Sequence, residues 1–237
     1  MNPSPSLPRL HRLLAVQALV VVLVSINRLS ALTLGYVAGN GFLRWVDLFN
    51  MLPLPLISLV AFYLVKQHLE YDSPARGGPT HRSLDLAFLC GVYLLGASYG
   101  THEVTNYLHQ RFCLDDPSTM CRIVAFNDDE FSHWVFFTGF LLVNVSLLWL
   151  QVVFPQRGPV TGRDTGLLVV NGTFIGLGVF ANLAFEVIGL DLYVVAALAL
   201  VSGWLLRRHG RQPLVVYYLT AYGLGTVGTL LYKVLAG

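Results

Sequence analysis

Three histidines and a run of acids stand close together in the middle of this chain. His102, Asn106 and His109 fall at i, i+4 and i+7, and Ser98 precedes His102 by four. On a helix these offsets share one face. Glu103 lies about 100° round the helix from His102, at the edge of that stripe. Some twenty residues on, "FNDDEFSHW" places Asp128, Asp129 and Glu130 three to five residues before His133. Imidazole with carboxylate is the donor set of zinc, iron and manganese sites. A catalytic metal takes about three protein ligands and leaves a position for water, whose pKa it lowers to about 7. His102, His109 and His133, with Asp128 or Asp129, supply such a set. Glu103 or Glu130 would then handle protons, and Ser98 and Asn106 would orient ligands or steady an oxyanion. Glu130-x-x-His133 with Glu103 also suits a di-metal oxidative site. A simpler reading of Asp128-Asp129-Glu130 is that acids at a helix start complement the helix dipole.

The elements that carry these groups are membrane spans. The chain has 237 residues, 55% hydrophobic and 12% charged, with a mean hydropathy of +0.62. Soluble domains hold about twice that share of charge. Apolar runs cover 13–34, 47–65, 84–108, 131–153, 166–187, 190–206 and 213–234, each near the ~20 residues needed to cross hydrocarbon. The expected fold is an all-α, seven-transmembrane-helix bundle, a single transmembrane domain over 1–237. Arg9 and Arg12 precede the first run as they would in a signal peptide, but that run is longer than a signal core, so it reads as a retained span.

Ten cations (Arg9, Arg12, Lys66, Arg76, Arg82, Arg157, Arg163, Arg207, Arg208 and Arg211) fall on one side of a seven-span topology. Under the positive-inside rule this puts the N-terminus in the cytoplasm and the C-terminus outside. The third and fourth spans are joined by an outer loop, so they are antiparallel neighbours, and their outer ends gather His102, Asn106, His109, Asp128, Asp129, Glu130 and His133. Cys113 and Cys121 lie in that loop as a disulfide candidate. His11, His68, His81 and His209 fall in or beside cytoplasmic segments, where solvation is the default. The localisation expected is an integral membrane protein of a bacterial inner membrane or a eukaryotic endomembrane or plasma membrane. A net charge of +2 and the lack of any basic stripe give no sign of a nucleic-acid partner.

Other polar groups reach the same end. Asn182 and Glu186 are four apart in the fifth span, and Asp191 follows. Arg28 interrupts the first span, where a charge is costly unless partnered; it either pairs with a glutamate such as Glu186 or snorkels to the interface. Gly96-x-x-x-Gly100 and Gly172-x-x-x-Gly176 have helix-packing spacing. Lys233 occupies the last span, but the chain lacks the surroundings of a retinal Schiff base.

Ser98-x-x-x-His102 at the end of one span, with an aspartate at the start of the next, resembles the seven-helix membrane hydrolases that include alkaline ceramidases and adiponectin-receptor relatives. That resemblance implies a zinc ion held by three histidines, a nearby serine and aspartate, and hydrolysis of lipid amides. The family takes two histidines from an H-x-x-x-H in its last span. The last span here has none, so His109 and His133 would take those places. H-x-x-x-N-x-x-H followed by D-[DE]-x-x-x-H is also similar to a pattern in uncharacterised bacterial polytopic membrane proteins. The expected function is a metal-dependent hydrolase, with zinc or alternatively iron, acting on a lipid or amphiphile from the outer leaflet. The alternatives are a transporter or ion-coupled binding protein, with Arg28, Asn182, Glu186 and the histidines lining a polar path, and a non-catalytic membrane partner subunit.

Overall fold

A computed structural model describes residues 7–71, 76–184 and 189–236. The described residues form helices and no strand ladder; one isolated bridge joins Tyr36 and Arg44. The helices are α1 (Leu7–Leu29), α2 (Trp45–Met51), α3 (Pro53–Leu69), α4 (Pro79–Leu108), α5 (Thr119–Ala125), α6 (Ser132–Val153), α7 (Gly162–Ala184), α8 (Leu190–His209) and α9 (Pro213–Ala236). Two π-helical segments, His109–Cys113 and Phe126–Phe131, extend α4 and join α5 to α6. Among the described residues, seven helical stretches are long and apolar enough to cross a membrane. The protein is a seven-helix membrane protein.

Proline sets several helix starts. Pro53, Pro79 and Pro213 open α3, α4 and α9, where a missing N–H costs nothing. Pro53 also divides the second span into α2 and α3. Gly210, with φ +72°, ends α8 in a conformation only glycine adopts freely.

The helices close a ring. The α4–α6 and α7–α9 pairs pack most extensively; α8 lies against α9 and α6, and α1 against α3 and α7. Three glycine contacts explain the tight pairs. A Cβ on Gly91 would meet the Gly139 carbonyl at 2.9 Å, and one on Gly172 would meet the Tyr217 carbonyl at 2.7 Å. Gly176 meets the Ala221 carbonyl at 2.9 Å in the same way. The pair Gly96 and Gly100 has open space instead, so its spacing serves no helix contact. The α4–α6 crossing uses Gly91 and Gly139, which lie on different helices and form no sequence motif.

The third and fourth spans, Pro79–Cys113 and Thr119–Val153, are 35 residues each. At ~1.5 Å per residue they reach ~50 Å, well beyond ~30 Å of hydrocarbon. The hydropathy runs stop short because the added turns are polar. One expectation is corrected here. Asp128-Asp129-Glu130 does not start a helix. The helix begins at Thr119, where the Ser118 hydroxyl accepts the Cys121 N–H at 3.2 Å, so these acids stand more than two turns inside it and the N-terminal dipole does not account for them. A second correction concerns the basic end: His11, His68 and His81 are buried rather than solvated.

Candidate metal centre at the disulfide end

The side chains of α4 and the second π segment meet around Asp128. Its carboxylate is 1% exposed. The His109 ring nitrogen Nδ1 lies 3.0 Å from Oδ2, and the Asn106 amide donates to the same oxygen at 3.4 Å. His102 Nδ1 lies 3.1 Å from Oδ1 but out of line for N–H donation, so Oδ1 is buried with no hydrogen bond. Asp129 Oδ2 is 3.8 Å from His109 Nδ1, and its side chain is 64% exposed. The His133 ring stands beside His102, centroids 5.3 Å apart.

A buried carboxylate needs a counter-charge. Asp128 has two imidazoles and an amide around it, and no lysine or arginine makes an ion pair with it among the described residues. Donor atoms of His109, Asp128 and Asp129 lie within 4.8 Å of one another. That nitrogen-and-oxygen set fits zinc, manganese or iron, and Asp129, 64% exposed, opens the set to water. The donors present fit a divalent metal when His109 Nδ1, 3.0 Å from Asp128 Oδ2, gives up its proton and the ring carries it on Nε2.

Two serines hold the site together. The Ser132 hydroxyl donates to the Asp128 carbonyl at 2.5 Å and lies 3.4 Å from His102 Nδ1. The Ser98 hydroxyl donates to the Ser132 carbonyl at 2.8 Å. Ser98 thus ties α4 to α6 and reaches the site only through the Ser132 carbonyl. Ser132 escaped the sequence reading; its spacing of four from Asp128 was the available signal.

Other residues go elsewhere. Glu103 turns towards α1, where its 2%-exposed carboxylate pairs with Arg28. Arg28 therefore does not snorkel unpartnered, and its pair with Glu103 commits that carboxylate to α1. Glu130 is exposed, and among the described residues the donor atoms of Glu103, Glu130 and His133 do not come within 4.8 Å of one another, as a di-metal site would need. Asn182 is also exposed. Asp191 is buried and accepts the N–H groups of Gly189 and Leu192 at 3.1 and 2.8 Å, a capping role at the start of α8. Glu186 lies outside the described residues.

The ends of α4 and α5 are braced from two sides. Cys113 and Cys121 form a disulfide, Cα atoms 5.1 Å apart, linking the end of one π segment to the helix that leads into the other. On the opposite side, the Tyr107 hydroxyl donates to the Gly41 carbonyl at 3.1 Å, and Arg111 donates to the same carbonyl and to Tyr107. Arg44 makes a two-point contact with Asp47, both at 2.8 Å, and stacks over Tyr107. That bond to Asp47 holds the Arg44 guanidinium above its ordinary pKa, against the opposing effect of burial. The loop after α1 is thereby pinned to α4.

Comparison with known proteins gives no match to a family model, a curated protein or a solved structure.

Proposed function

We propose that this membrane protein is a metal-dependent hydrolase whose site lies at headgroup depth and acts on a lipid or amphiphile. The observation that carries the reading is the convergence of His109, Asp128 and Asp129 within 4.8 Å, on a carboxylate that is 1% exposed. These three residues would hold the metal, zinc in the first instance and iron as the alternative. Bound there, a divalent ion supplies a water acidic enough to attack at neutral pH. Asn106 fixes the Asp128 carboxylate, and Ser132 fixes its backbone. His133, beside His102 and not committed to a carboxylate, is the group placed to carry a proton.

Depth supports a headgroup-level substrate. Residues 134–153 of α6 already supply the roughly 20 residues that hydrocarbon requires. Asp128 stands ~9 Å further along the helix at ~1.5 Å per residue. With the basic end in the cytoplasm, that level is the outer leaflet's interface. A transport path would require polar groups at successive depths, whereas residues 86–97 of α4 carry no charged side chain.

The test is elemental analysis of purified protein, with His109→Ala and Asp128→Asn variants, followed by product release from mixed phospholipid and ceramide vesicles. Near-stoichiometric metal and lipid cleavage, both lost in the variants, are expected. A metal-free wild type after reloading with zinc and iron would refute the site. Bound metal with no cleavage of any lipid would refute the hydrolase.

A further inference from the structure

A second titratable cluster lies at the basic end, where α3 meets α4. Lys66 Nζ sits 2.5 Å from Glu70 Oε1 and 2.6 Å from Asp85 Oδ1. His81 Nε2 is 3.2 Å from Glu70 Oε1, and its Nδ1 is 3.5 Å from Asp85 Oδ2. The Glu70 and His81 side chains are buried, and Asp85 is 38% exposed. The edge of the ring meets Phe154, centroids 5.5 Å apart. Donor atoms of Glu70, His81 and Asp85 lie within 4.8 Å, so spacing alone would also admit a metal.

The tautomer of His81 decides between ligands. The Gly77 N–H donates to His81 Nδ1 at 3.1 Å. A nitrogen that accepts carries no proton, so the neutral ring bears its proton on Nε2, facing Glu70. Nε2 then offers no lone pair, and the Lys66 ammonium already stands between the two carboxylates. A metal would have to displace both.

We infer that this cluster is a proton-binding site, in which His81 takes up a second proton on Nδ1 and thereby releases the Gly77 N–H. Among the described residues, the charged groups facing the ring are Lys66 and Glu70 from the α3 side and Asp85 from α4; Phe154, which follows α6, presents an apolar ring. Two carboxylates against one ammonium leave one negative charge unbalanced, and an imidazolium neutralises it. Nδ1 has two partners that exclude each other. The neutral ring accepts from Gly77, and the charged ring donates to Asp85 Oδ2. The proton comes from solvent, one hydrogen bond breaks and another forms. Gly77, at φ +85°, stands in the turn just before Pro79, so the group released is a backbone amide at the entry to α4. The inference is independent of the metal centre.

The experiment uses full-length protein in lipid nanodiscs, labelled with 15N-histidine and 15N-glycine and titrated across the histidine range. Above the transition His81 should carry its proton on Nε2, with the Gly77 amide protected from exchange. Below it both ring nitrogens should be protonated, and Gly77 protection, corrected for intrinsic rate, should fall at least tenfold at the same midpoint. Asp85→Asn, at a half-exposed position, should keep the fold and move both signals together to lower pH. Three results would overturn the inference: an Nδ1-protonated ring at neutral pH, Gly77 protection unchanged through the ring's titration, or His81 resonances displaced by one equivalent of zinc.

Discussion

Removing Arg28 should harm the protein more than removing the charge of Glu103, although each change breaks the same ion pair. The difference follows from exposure: the Arg28 side chain is 40% exposed and that of Glu103 is 2% exposed. Arg28→Ala strands a carboxylate inside the bundle, a loss of about 3–5 kcal/mol. Glu103→Gln leaves a cation at the end of α1 that can turn to the interface, a loss of about 1 kcal/mol or less. At about 2–4 °C per kcal/mol for a chain of this size, Arg28→Ala should lower Tm by roughly 6–20 °C and Glu103→Gln by no more than about 4 °C. The assay is thermal unfolding in detergent micelles, followed by tryptophan fluorescence, on both single variants and on the double variant. The double variant should recover most of the Arg28→Ala loss, because no buried charge is left without a partner. Equal losses in the single variants, or a double variant no better than Arg28→Ala, would refute the argument. Metal content should be unchanged in Glu103→Gln, since that side chain faces α1.

Three further outcomes are expected. Metal retention should fall on acidification, because His109 binds metal only when neutral and protons compete for its ring nitrogen; dialysis at graded pH with elemental analysis checks this. Replacing Cys113 and Cys121 together by serine should cost about 2.5 kcal/mol from the closed loop, and should weaken metal affinity by loosening both π segments, read by unfolding and by competition with a chelator. Gly91→Val should destabilise severely, because the added group meets the Gly139 carbonyl at 2.9 Å and backbone cannot yield, whereas Gly96→Val, with open space around it, should leave Tm nearly unchanged.

Much of the architecture was readable from composition and periodicity. Seven apolar runs interrupted by short polar links leave few alternatives, because backbone groups in hydrocarbon must be satisfied within helices. The i, i+4 and i+7 spacing put His102, Asn106 and His109 on one face, and a short connection made the neighbouring helix their partner. The pairing of the charges was decided only in three dimensions. Glu103, one residue from His102, went to Arg28, 75 positions away in the chain, because a helix turns neighbouring side chains about 100° apart. The two π segments are invisible to a 3.6-residue pattern, yet one begins at His109 and the other contains Asp128 and Asp129. Sequence spacing determined which groups could meet; the bracing of those π segments by the disulfide, Ser98 and Ser132 decided which acid is buried among the imidazoles and which is left open to water.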